Sequence, residues 1–199
     1  MLNNLISKTM NVEMINKQAK LSEHLASPSE AALSHSSELD GLRLSPHFSL
    51  GELTKTKAKG LDNTPNHAAV INLKNLCEGW LEDLRFSYNE LYCLKPGEDY
   101  HTSENVEPII INSGFRSEEV NKAIGGVPGS NHLTGCAVDI KCLGIEQALR
   151  YAVILLDIAD GTRRDFDELL IERSPKGSYW VHFAVRPSNN RRKVRFIQT

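Results

Sequence analysis

The sequence predicts an α+β domain with a small, largely antiparallel sheet flanked by helices. Three observations carry that expectation. Apolar residues recur at helical spacing over residues 65–87 and again over 145–159. A β-branched run, Val106-Glu-Pro-Ile-Ile-Ile-Asn112, reads as a buried strand. The last third of the chain then offers strands at 166–172, 179–185 and 193–198 in the manner of a meander, with Arg173-Ser-Pro-Lys-Gly-Ser as a hairpin loop.

Residues 1–43 read as a separate N-terminal extension, and 44–199 as the globular domain. In the extension, Leu2, Ile6, Met10 and Met14 recur at a spacing that suits a short amphipathic helix. A Ser-rich stretch with the character of a linker follows, carrying His24 and His35. Nothing nearby would hold those histidines rigid, so this segment is expected to be an arm open to a partner and not a metal site. The domain begins near Leu44-Ser-Pro-His-Phe-Ser-Leu, where Ser49 can cap a short helix through Leu53 and Lys59-Gly60 ends it. Thr64-Pro65 supplies an N-cap hydroxyl followed by proline at the first helical position. The helix it starts places Val70, Leu73, Cys77, Trp80 and Leu84 on one face, which makes it scaffold. Residues 88–106 are polar and irregular, and leave His101 exposed without a partner at ligand spacing.

After the 106–112 strand, Ser117 caps a short helix with Glu118 and Glu119 in its first turn, where the helix dipole favours acids. Gly125-Gly126 stops it. A strand at 136–141 follows a glycine-studded turn, and the helix at 145–159 carries Leu149, Val153 and Leu156 on one face.

Composition narrows the function classes. A chain that is 40% hydrophobic and 24% charged is ordinary for a soluble globular protein. A formal net charge of -2 gives no sign of a nucleic-acid or membrane-surface binder. The local exception, Arg191-Arg-Lys-Val-Arg195, is expected to be the solvated side of a C-terminal strand. No apolar run approaches the roughly 20 residues that span a bilayer. The N-terminus lacks a positive region followed by an apolar stretch, and Cys77, Cys93, Cys136 and Cys142 form no dense framework. The expectation is therefore a cytoplasmic protein with reduced thiols, unless another machine delivers it.

The chemistry concentrates in Ser113-Gly-Phe-Arg-Ser117, in Ser130-Asn-His-Leu-Thr-Gly-Cys-Ala-Val-Asp139 and in Trp180-Val-His182. Strand alternation puts Ala137, Asp139 and Lys141 on one face, turned away from Cys136 and Cys142. In the 179–185 strand His182 shares a face with Trp180, opposite the apolar Val181, Phe183 and Val185. His132, Asp139 and His182 together would form the protein half of a catalytic zinc site, with a fourth position left for water. Such a site needs a base, and Glu168 and Glu172 lie on one face of the preceding strand. Arg116 could hold a substrate carboxylate or carbonyl through its planar fork; its ordinary alternative is a surface ion pair with Glu118 or Glu119.

Taken in order, these motifs resemble the zinc D-alanyl-D-alanine carboxypeptidase family, which shares its fold with the hedgehog signalling domain and several phage endolysins. The family pattern is Ser-Gly-Tyr/Phe-Arg-Ser, then Ser-x-His-x-x-Gly-x-Ala-x-Asp, then Trp-x-His, and the chain matches each part. Leu44-Ser-Pro-His-Phe-Ser-Leu and Asp62-Asn-Thr-Pro look like the N-terminal part of the phage-associated branch, so the resemblance spans about 44–185. It implies a hedgehog/DD-peptidase-like fold. It makes His132, Asp139 and His182 the Zn2+ ligands, and Arg116 and Ser130 substrate-binding residues. Several relatives carry the base three residues before the last histidine, but Tyr179 stands there. The hedgehog-like arrangement leaves Glu172 as the base, with Glu168 open. The implied activity is hydrolysis of peptidoglycan stem peptides by a D,D-carboxypeptidase. An L-alanyl-D-glutamate endopeptidase of endolysin type is the neighbouring reading, and a non-catalytic zinc module of a cell-wall or phage assembly the distant one.

Overall fold

The computed structural model describes residues 41–198. The amphipathic helix and Ser-rich arm expected within residues 1–43 lie outside them. The first element is a short helix, α1 (Leu50–Thr54), capped by the Ser49 side chain as its sequence predicts. It runs through Leu53 as expected and stops at Thr54, ahead of Lys59-Gly60, because Lys55 already has extended backbone.

Thr64 is not the cap of the next helix. Asp62 forms an Asx turn that accepts both the Thr64 N–H at 2.9 Å and its hydroxyl at 2.7 Å. Asn66 caps instead, accepting from the Ala69 N–H at 2.9 Å. The helix α2 (His67–Leu76) passes through one π-helical segment, Cys77–Leu81, into α3 (Glu82–Tyr92). Helix therefore continues through residues 88–92, where the sequence suggested irregular chain. Leu73, Cys77, Trp80 and Leu84 are buried as their spacing predicts, while Val70 is only half-buried. Trp80 packs between Phe166 and Phe183, at centroid distances of 6.4 and 5.1 Å.

The remaining elements are β1 (Ile111–Ser113), α4 (Glu118–Ala123), β2 (Ala137–Cys142), α5 (Ile145–Thr162), β3 (Glu168–Arg173), β4 (Tyr179–Ala184) and β5 (Lys193–Gln198). The expected strand at 106–112 is reduced to its last residues plus Ser113. Pro108 has no N–H to give a ladder, and the pairing with β2 is broken by a register shift between Ile111 and Ser113. Helix α4 has the Ser117 cap and the acidic first turn that were anticipated.

The five strands form one sheet in the order β1-β2-β4-β3-β5. All neighbours are antiparallel except β3 and β5, which run parallel. The C-terminal third is therefore a hairpin, β3–β4, followed by a crossover to the far side of β3, and not a meander. The sheet remains largely antiparallel and the class is α+β, as the sequence indicates. One face, with Val138, Ile140, Leu169, Val181 and Phe183, is buried core. Helix α5 packs against β2, β3 and β4. It uses Ala148, Tyr151, Ala152, Leu155 and Ala159 for burial, whereas Leu149 and Val153 are 49% and 59% exposed. The sequence-based face was wrong because apolar residues lie on two stripes of this helix, and the alanine-rich stripe allows the closer approach. No described helix is long and apolar enough to cross a membrane.

Candidate metal centre

The opposite face of the sheet carries the site. Register aligns Asp139 of β2 with His182 of β4, and His182 with Leu170 of β3. Period-two alternation then places Glu168 and Glu172 on this same face, one pair to either side of His182. His182 lies opposite Leu170, midway between the two glutamates, so register alone does not favour Glu172 over Glu168.

His132 comes from a different element, a 3₁₀ turn (Asn131–Thr134). The Ser130 side chain caps that turn, accepting from the His132 N–H at 3.3 Å. Gly135 ends it at φ 69°, and any Cβ there would run into the Ala69 carbonyl of α2. A second close approach fixes the Arg116 turn. The Phe115 N–H donates to the Leu53 carbonyl at 2.7 Å, and a Cβ on Gly114 would strike that same oxygen. Glycine is thus required on both turns that bring the motifs together.

The donors converge. His132 Nε2 lies 3.2 Å from His182 Nδ1 and 3.3 Å from Asp139 Oδ1, and His182 Nδ1 is 3.0 Å from the same oxygen. Two nitrogens and a carboxylate at about 2.0–2.1 Å from a tetrahedral zinc would stand about 3.3 Å from one another. The observed separations fit that ion, and the three residues form a group able to hold a metal. All three are buried. His132 Nδ1 donates to the Gly114 carbonyl at 2.6 Å, because a carbonyl can only accept; its Nε2 lone pair is thereby aimed at the cluster.

Burial alone would raise Asp139, but the charge and hydrogen bonds of His132 and His182 outweigh it and hold the carboxyl well below the usual range. Burial likewise opposes a proton on His182. Hydrogen bonds to Asp139 and Glu168 overcome that and lift it to about 9.

The cluster lies on the floor of a cleft of about 650 Å³, lined also by Arg116, Ser130, Glu168, Glu172 and Trp180. Arg116 donates from Nε to the Ser113 hydroxyl at 2.7 Å and from Nη2 to Asp139, so it braces a member of the cluster instead of pairing with Glu118 or Glu119. Glu168 and Glu172 differ sharply. The Glu168 carboxylate accepts from Lys193 Nζ at 2.8 Å and from Asn131 Nδ2 at 3.2 Å, and meets Arg191 at 3.1 Å. Its carboxyl is held low, first by His182 and then, against burial, by Lys193. Among the described residues no hydrogen bond or ion pair holds the Glu172 carboxylate. Burial, followed by the Asp139 charge, raises its carboxyl above the ordinary value.

Three asparagine and aspartate roles escape sequence reasoning. Asn63 grips the Arg116 turn from both sides, donating to the Phe115 carbonyl at 3.1 Å and accepting from the Ser117 N–H at 2.7 Å. Asp167, with 0% exposure, takes Asn131 Nδ2 at 2.7 Å and both Nε and Nη2 of Arg191 at 2.8 and 2.6 Å. Asn131 also accepts from Arg186 Nε at 2.8 Å, which ties the His132 turn to the end of β4. The basic run at 191–195 is therefore not simply solvated: Arg191 and Lys193 reach back to the acids at the start of β3. The nearest hint in the sequence is the position of Asn131 and Asp167 beside candidate site residues.

Compared with known families, the chain matches the model described as peptidase M15 over residues 46–157, more than half of its length. A search of curated proteins finds no match. The matched span contains Arg116, Ser130, His132 and Asp139. His182, Glu168 and Glu172 lie beyond it and join the site through the pairing of β2, β3 and β4.

Proposed function

The chain belongs to the peptidase M15 family of zinc peptidases, and on that premise we propose that it hydrolyses peptidoglycan stem peptides as a D-alanyl-D-alanine carboxypeptidase. The observation that carries this reading is the convergence of His132 Nε2, Asp139 Oδ1 and His182 Nδ1 beside Arg116 and Glu172 in one cleft. Zinc held by those three residues would supply Lewis-acid polarisation of the scissile carbonyl and bring the pKa of a water to about 7. Glu172 acts as the general base. Its carboxylate lines the cleft with no competing donor among the described residues, which leaves it free to take a proton and deliver it to the leaving amine. Arg116 orients Asp139 by its hydrogen bond, and presents its remaining N–H groups to the substrate's carbonyl or terminal carboxylate. Ser130 lines the same end of the cleft while capping the His132 turn.

A second reading draws on one specific observation. Arg116 is already engaged by Ser113 and Asp139, which leaves less of its fork for a terminal carboxylate. An L-alanyl-D-glutamate endopeptidase, whose substrate continues through the cleft, needs no such clamp.

Digestion of purified muropeptides with and without chelator, by the parent and by Glu172→Ala, separates these readings. Metal-dependent release of terminal D-alanine supports the carboxypeptidase, and a cut stem the endopeptidase. Stoichiometric zinc without any product would leave a binding module in place of an enzyme.

A further inference from the structure

We infer that Glu168 is a positioning residue that locks the ring of His182 so that Nδ1, and not Nε2, faces the metal centre. The inference rests on the zinc reading above and concerns a residue outside the three ligands and the base. His182 turns Nδ1 to the cluster, 3.0 Å from Asp139 Oδ1 and 3.2 Å from His132 Nε2. Its other nitrogen, Nε2, is 3.5 Å from Glu168 Oε2. A carboxylate at that distance favours the proton on Nε2, which leaves the lone pair on Nδ1 for the metal. The Gly114 carbonyl does the same for His132 from the opposite end of the ring, with Nδ1 as the donor at 2.6 Å. The two ligand histidines are thus fixed in opposite tautomers by two different acceptors.

Glu168 is itself immobilised. Its Oε1 accepts from Lys193 Nζ at 2.8 Å and lies 3.1 Å from Arg191 Nη2, and its Oε2 takes Asn131 Nδ2 at 3.2 Å. Its side chain is only 14% exposed. Those donors hold the carboxylate in place against His182 and occupy the oxygens that a general base would need free. Asn131 precedes the ligand His132, and its amide also donates to the buried Asp167 at 2.7 Å. One acidic pair at the start of β3 therefore braces both histidine ligands, His182 directly and His132 through its own turn. Lys193 of β5 supplies the counter-charge, which gives the parallel crossover strand a reason to return to β3.

The test is zinc affinity by chelator competition for the parent, Glu168→Ala, Glu168→Gln and Glu172→Gln. Glu168→Ala should weaken zinc binding ~10–100-fold. Glu168→Gln, whose amide oxygen can still accept from Nε2, should recover part of that loss, and Glu172→Gln should bind zinc like the parent. A folded Glu168→Ala protein that binds zinc within ~2-fold of the parent overturns the inference while leaving the zinc reading intact. A parent that takes up no zinc overturns both. Should Glu168→Ala fail to fold, side-chain nitrogen NMR of the zinc-loaded parent decides. His182 protonated on Nε2 and ligated through Nδ1 supports the assignment, and ligation through Nε2 contradicts it.

Discussion

Glu168 and Glu172 occupy one face of one strand, two positions to either side of the residue opposite His182, and still have different chemistry. Donors from β5 and from Asn131 saturate the first, so its charge is structural. The second is partly buried near Asp139 without a described donor, so its proton is held more tightly than usual. A residue kept above the ordinary glutamate range is better matched to proton transfer near neutrality. Two outcomes are expected. Glu172→Gln should cut turnover by ~10²–10⁴ with zinc content unchanged. The parent's kcat/KM should fall toward acid pH as the base takes up its proton. A parent profile with no acid limb, or substantial turnover in Glu172→Gln, would move the base elsewhere.

At the scale of elements, the site is assembled where the His132 turn, the Arg116 turn and the β2–β4 pairing meet, and glycine sets how closely they meet. Gly135 combines φ 69° with contact against the Ala69 carbonyl, so a side chain there is both strained and crowded. Gly135→Ala should cost at least ~1–2 kcal/mol from the left-handed backbone alone. Because the displaced turn carries His132, it should also lower zinc affinity; thermal melts with and without zinc would measure both. This scale also shows what sequence could convey. Asp139 and His182 were legible because strand alternation separates them from the cysteines and the apolar face, and alternation needs only local sequence. The relation of Glu168 and Glu172 to His182 was not, since it depends on the register of a hairpin. The Asn63, Asn131 and Asp167 contacts were hidden for a similar reason: their partners lie tens of residues away or on another element. The parallel placement of β5 escaped as well, because an exposed alternating strand reads alike on either edge of a sheet.

For the whole molecule, the buried His–Asp–His cluster would couple stability to protons and to a metal held there. In the metal-free protein His182 holds its proton up to about 9, against an ordinary 6.5, because its hydrogen bonds to Asp139 and Glu168 outweigh burial. A raised folded-state pKa contributes stability that is complete below the unfolded value and disappears as pH rises through the folded one. Chelator-treated protein should therefore melt at progressively lower temperature from about pH 6.5 to pH 9. Zinc must displace that proton, so zinc affinity should rise over the same window and its binding should release protons. Metal analysis of the purified chain decides whether His132, Asp139 and His182 form one metal centre. The parent should carry about one zinc per chain, removed by His182→Ala and retained by Glu172→Gln. A parent with no stoichiometric zinc, or a His182→Ala protein that keeps it, would rule that centre out.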